Sequence, residues 1–208
     1  MVPKDDWKID AVRSVLITID LQRTFLEPDS PVKCPEAMNF ISQVNHLAAL
    51  CRRVRIPVVH VRHVLRDDLS DIGIMQEIRP RTDSKYEYLE GRVGTEFYEK
   101  LDVAGSDYVV NKVRYSAFIS GSSSLEPLLR GLSRDVLIIC GVATDVCVGT
   151  TVSDGMMIGY RVLLVGDLTD TVSEERQKVA LEVINQHFAK VITFSDAEKQ
   201  LETIVTAH

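Results

Sequence analysis

No stretch of this chain approaches the roughly 20 consecutive apolar residues that a helix needs to span a bilayer. A basic surplus is missing too: 24 Lys and Arg stand against 30 Asp and Glu, for a net charge of −6. Neutralising phosphates requires an excess of cations, so the composition argues against nucleic acid as a partner. The glycine patterns GxGxxG and GxxxxGK[ST], which cradle nucleotide phosphates, do not occur. GxSxG is absent as well, which disfavours a serine hydrolase of the usual α/β type. There is no CxxC pair and no zinc spacing. His60 and His63 form an HxxH, but on a strand positions i and i+3 face opposite sides. His46 and His187 stand alone and His208 is terminal. This reading therefore assigns no metal and no cofactor.

What is present describes an ordinary globular chain. It has 208 residues, 45% of them hydrophobic, with a mean hydropathy of +0.03. That length suits one domain over residues 1–208. Cys34, Cys51, Cys140 and Cys147 lie far apart without a secretory leader, and read as free thiols of a cytoplasmic protein.

Short β-rich apolar runs alternate with longer amphipathic stretches. Strands are expected at Ser14–Asp20, Pro57–His63, Tyr108–Asn111, Val136–Cys140, Arg161–Val165 and Lys190–Phe194, and helices at about 36–54, 122–132, 145–159, 174–188 and 196–206. The runs are continuously apolar, as in strands covered on both faces. Repeated β-then-α order predicts an α/β fold, a doubly wound parallel sheet with helices on both sides. The charged connection 64–107 has the length of a lid, a pocket wall or a subunit contact.

Ligands in such sheets bind beyond the carboxyl ends of the strands. Asp20, His63, Lys112 and Cys147 all fall there. Asp20 has the chemistry of a general base, or of a turn cap. Lys112 reads first as a surface cation, the usual place for a lysine, and otherwise as a charge that lowers a neighbouring thiol pKa. Cys147 is either a small core residue or a nucleophile at the start of a helix, where free N–H groups and the helix dipole favour a thiolate.

Taken together, ITIDLQRTF, NKVRYSAF and GVATDVC followed by TTVSDGMMIGYRVLLVGDLT resemble the isochorismatase-like cysteine hydrolases, from about residue 14 to residue 194. The resemblance implies a six-stranded parallel sheet and an Asp20–Lys112–Cys147 triad. It also implies a cis peptide at Val142–Ala143 and an oxyanion hole from the Ala143 and Cys147 backbone N–H groups. Nicotinamidases of this family carry a metal-binding DxH after the second strand; VVHVRHVLRDDLSD has none. RHVLRDDLSDIG and KVRYSAF look more like the biuret- and ureidoacrylate-type amidohydrolases. True isochorismatases lack the cysteine and cleave a vinyl ether.

The expectation is thus hydrolysis of a C–N bond in a small amide or ureide through a covalent thioester. The alternatives are vinyl-ether hydrolysis and a non-catalytic module on the same fold. Phe25, Tyr115 and Phe118 would wall the substrate pocket, with His63 and Arg66 at a polar or anionic end; core packing and a solvated charge are the competing readings for the phenylalanines and the arginine. A homo-oligomer, dimer or tetramer, is implied, with the 64–107 connection or the 145–159 helix near its interface.

Overall fold

The apolar runs assemble side by side. In the computed structural model, which describes residues 3–78 and 84–206, six strands form one sheet: β1 (Ser14–Ile19), β2 (Val58–His63), β3 (Tyr108–Lys112), β4 (Val136–Val142), β5 (Arg161–Asp170) and β6 (Lys190–Ile192). All neighbours are parallel, in the order β3-β2-β1-β4-β5-β6. The α/β expectation is borne out. The helices are α1 (Arg23–Leu26), α2 (Ile41–Arg53), α3 (Met75–Ile78), α4 (Leu125–Gly131), α5 (Gly149–Met157), α6 (Glu174–His187) and α7 (Phe194–Thr206).

Alternation along β4 shows why the run is apolar throughout. Val136, Ile138, Cys140 and Val142 pack into the core shared with α2 and α7, through Val44, Leu47, Ala197 and Leu201. Leu137 and Ile139 pack into the opposite core with Leu125 and Leu129 of α4, Val152 of α5 and Ile184 of α6. Each fully buried aliphatic side chain contributes about 1.5–3 kcal/mol of transfer free energy, so both layers anchor the strand.

Several boundaries differ from the periodicity. β5 runs to Asp170 rather than Val165, because it resumes pairing with β4 after an irregularity, Gly141 opposite Thr169 and Val142 opposite Asp170. The polar Thr169 and Asp170 hide that extension from a hydrophobic pattern. Phe194 opens α7 instead of closing β6. Thr193 and Asp196 make a reciprocal cap there, with Thr193 N donating to Asp196 Oδ2 at 3.2 Å and Asp196 N to Thr193 Oγ1 at 3.1 Å. The helix expected over 145–159 is divided: Thr144–Val148 form a wide π-type turn, and α5 starts only at Gly149.

The connection 64–107 folds back on the sheet. Leu65 bridges Leu89 in parallel, and Leu65, Ile72, Met75 and Leu89 form a small core of their own. Residues 79–83 of this connection lie outside the described residues. Successive strands are laid down in one sense from β1 to β3 and in the opposite sense from β4 to β6, so the crevice beyond the carboxyl ends of β1 and β4 is the topological switch point where an α/β sheet binds ligands.

Candidate active site

Strand register lines up the site. Lys112 pairs with His63 across β3 and β2, while Ile19 pairs with Val61 on one side and Gly141 on the other. Four carboxyl ends therefore finish level. Asp20 follows β1 with φ of 54°, a left-handed conformation that short polar side chains tolerate. Gly141 has φ of 119°, and a Cβ on it would stand 2.1 Å from the Ile19 carbonyl oxygen. Only glycine lets β1 and β4 approach this closely.

Lys112 Nζ lies 2.8 Å from Asp20 Oδ2 and 3.4 Å from Cys147 Sγ, and it also donates to the Arg114 carbonyl at 3.1 Å. The Asp20 and Lys112 side chains are wholly buried. One ring nitrogen of His63, Cys147 Sγ and an Asp20 oxygen lie within 4.8 Å of one another. Gln22 fixes His63 from behind: its Oε1 accepts from His63 N at 2.6 Å and its Nε2 donates to His63 O at 2.9 Å.

The electrostatics depart from expectation. Burial pushes the Cys147 thiol up to about 12, although Lys112 pulls it down. Burial likewise raises Asp20 above the ordinary carboxyl range, against the stabilising ammonium of Lys112. Burial opposes the charge on Lys112, but Asp20 and Cys147 outweigh it and raise its pKa. Burial thus favours the neutral thiol at Cys147, against the thiolate anticipated from a helix start. Lys112 and the π-type turn do not offset the loss of water around sulfur.

A cavity of about 140 Å³ opens over this cluster. Phe25, His63, Tyr115, Ala143 and Cys147 line it. The Val142–Ala143 peptide is cis, and the Ala143 carbonyl accepts from Val146 N at 3.0 Å and Val148 N at 3.1 Å, tying the turn that carries Cys147.

Two expected residues stand elsewhere. Arg66 is 61% exposed and pairs with Asp68 at 3.2 Å, so it is a solvated loop charge. Phe118 belongs to the core, stacked on Tyr160 with centroids 5.4 Å apart and packed against the bare face of Gly155. Neither lines the cavity. Tyr88 and Arg176 do, and the sequence reading missed both. Tyr88 stacks on His63 at 4.5 Å, carried there by the Leu65–Leu89 bridge. Arg176, on the first turn of α6, donates from Nε to Asp145 Oδ2 at 2.6 Å. No periodic signal marks either position; each depends on a distant segment folding back.

Among the described residues, Asp20, His63 and Cys147 are the one cluster whose donor atoms approach closely enough to hold a metal ion. Lys112 already presents its ammonium to two of them, so a cation bound there would meet its repulsion.

Comparison with known proteins gives the family. Residues 14–196 match the family model described as "Isochorismatase domain". The chain is 25% identical over 190 residues to maleamate amidohydrolase of Pseudomonas putida, covering 91% of this chain and 87% of that protein. It is 24% identical over 206 residues to ureidoacrylate amidohydrolase RutB of Caulobacter segnis, covering 90% and 85%. A solved cysteine hydrolase from Pseudomonas syringae pv. phaseolicola superposes with a TM-score of 0.88 at 27% identity, covering 95% of this chain and 96% of that one. With most of its length matched by the family model and its sheet shared with a solved cysteine hydrolase, the chain belongs to the isochorismatase family.

Proposed function

We propose that this protein is a cysteine-dependent amidohydrolase that cleaves a C–N bond of a small amide or ureide. The observation that carries this reading is the bridging of Asp20 and Cys147 by the buried Lys112. Cys147 Sγ attacks the carbonyl carbon as its proton passes to Asp20, whose raised affinity for protons suits it as a base. The oxygen of the tetrahedral intermediate takes hydrogen bonds from the Ala143 and Cys147 backbone N–H groups. The C–N bond then breaks, and Asp20 returns the proton to the departing ammonia or amine. Water hydrolyses the acyl- or carbamoyl-thioester and restores the thiol. Lys112 holds the Asp20 carboxylate in place and keeps the site neutral during the proton's transit.

The cavity's size favours a small substrate, and its walls of Phe25, Tyr88 and Tyr115 favour an apolar or flat one. Maleamate and ureidoacrylate, named for two relatives, are small amides of this kind. The test is ammonia release from biuret, ureidoacrylate, N-carbamoyl amino acids, nicotinamide and maleamate, with Cys147→Ala beside the wild type. Release that vanishes in the variant supports the reading; equal release from the variant sinks it.

The same reading includes a homo-oligomer. Ile74 and Ile78 in the 64–107 connection, and Met157 and Ile158 at the end of α5, are exposed apolar residues. They offer surfaces for a second copy, and light scattering after size exclusion would return a mass above 23.3 kDa.

A further inference from the structure

The triad accounts for making the thioester more fully than for hydrolysing it. A water must still be held on the carbonyl's open side while Asp20 takes its proton. The geometry points to His63 as the residue that holds this water, an inference resting on the thioester reading above.

Three observations converge. His63 is buried and lines the cavity above Cys147. A ring nitrogen, an Asp20 oxygen and Cys147 Sγ lie within 4.8 Å of one another. Two hydrogen bonds of about 2.8 Å, meeting at a water oxygen, span about 4.6 Å, so polar atoms inside that 4.8 Å limit are within reach of one bridging water. The ring is also immobilised. Gln22 grips the His63 backbone at 2.6 and 2.9 Å, Tyr88 stacks on the imidazole at 4.5 Å, and Tyr115 meets it edge-on at 6.4 Å.

The step balances. The water donates one hydrogen bond to the Asp20 carboxylate and the other to a His63 ring nitrogen, so that a lone pair of the water oxygen faces the thioester carbon. The C–O bond forms as the proton moves to Asp20. The C–S bond then breaks, Asp20 returns the proton to sulfur, and the free acid leaves. His63 exchanges no proton in the cycle and acts through the water's position.

The test separates acylation from deacylation. p-Nitrophenyl acetate acylates a competent cysteine without a natural substrate, releasing one coloured burst per site before steady turnover. In His63→Phe the ring can still stack on Tyr88 but has no nitrogen. We expect steady turnover to fall roughly ten- to a hundredfold further than the burst rate does. Acetyl-Cys147 should accumulate by mass spectrometry, and hydroxylamine should restore turnover. His63→Ala supplies a second route should the phenylalanine variant not fold, with added imidazole restoring deacylation alone. Burst and steady state slowed together, or both unchanged, would overturn the assignment. Absence of any acetyl-Cys147 in the wild type, with turnover unaffected by Cys147→Ala, would instead overturn the thioester reading, and the water's position with it.

Discussion

Lys112 Nζ is ion-paired with Asp20 Oδ2 at 2.8 Å, and neither side chain has access to solvent. A pair this deeply buried is poor evidence of net stabilisation, because both charges lose their hydration. Breaking it is a different matter. Lys112→Met should destabilise the protein by about 3–5 kcal/mol in urea unfolding near neutral pH, since it strands a carboxylate. The loss should shrink as pH falls below the ordinary carboxyl range, where Asp20 is protonated in both folded and unfolded chains. Asp20→Asn combined with Lys112→Met should recover most of that stability and none of the activity. If the single variant loses nothing, the pair does not hold the site together.

The buried thiols make an independent prediction about alkaline pH. Burial pushes Cys140 up to about 12 and raises Cys51 above its ordinary range. The unfolded chain releases these protons from about pH 9 upward while the native chain keeps them. The native state then binds more protons, so stability falls as pH rises, by about 1.4 kcal/mol per pH unit for each thiol within its window. Cys140→Ala should be less stable at pH 8 yet lose about 1 kcal/mol less between pH 8 and 10. Parallel urea titrations at the two pH values would show it. An unchanged difference would mean that Cys140 titrates normally.

The strand runs and strand-end residues were legible because their signals are local. Asp20, Lys112 and Cys147 each close or follow an apolar run, and a parallel sheet brings such ends together. Phe25, His63 and Tyr115 were legible as cavity walls for the same reason, but the rest of the wall was not, because it depends on contacts between segments far apart in sequence. Tyr88 reaches His63 only once the 64–107 connection pairs Leu65 with Leu89, and Arg176 reaches the mouth only once α6 packs beside the Cys147 turn. Phe118 misled for a related reason. Gly155 leaves no Cβ in its way, and the ring turns into the core rather than toward the substrate. The thiol's elevated pKa was hidden too, since burial is set by the whole fold and outweighs the one favourable neighbour.

Gly141 and Gly159 both adopt positive φ, at 119° and 103°, but their surroundings differ. A methyl group on Gly141 would strike the Ile19 backbone at 2.1 Å, whereas nothing lies within 4 Å of one on Gly159. Gly159→Ala should therefore cost only backbone strain, about 1–2 kcal/mol. Gly141→Ala should add to that the separation of β1 from β4, lose on the order of 3 kcal/mol or more, and displace Asp20 from Cys147. Thermal unfolding of the two variants side by side gives the comparison; equal losses would argue that the β1–β4 contact is not tight.

Gln22 links the fold to the chemistry most directly. Its side-chain amide makes a rung with His63, accepting from N and donating to O, as another strand would. The same Nε2 lies 3.3 Å from the Thr95 carbonyl, and the Gln22 backbone bridges Phe97, so one residue joins the ends of β1 and β2 to the long connection. Gln22→Met keeps the side-chain length but removes both bonds, taking the side-chain partner from a buried N–H and a buried C=O. The expected cost is about 1–3 kcal/mol for each group left unsatisfied. The His63 amide should exchange its hydrogen faster in the variant, while amides in the centre of β4 change only with global stability. Gln22→Glu restores the acceptor without the donor and adds a second carboxyl close to Asp20, so it should be no more stable than the methionine variant. Wild-type exchange at His63 in Gln22→Met would show that the strand end holds without the amide, and that His63 owes its position to the aromatic stack alone.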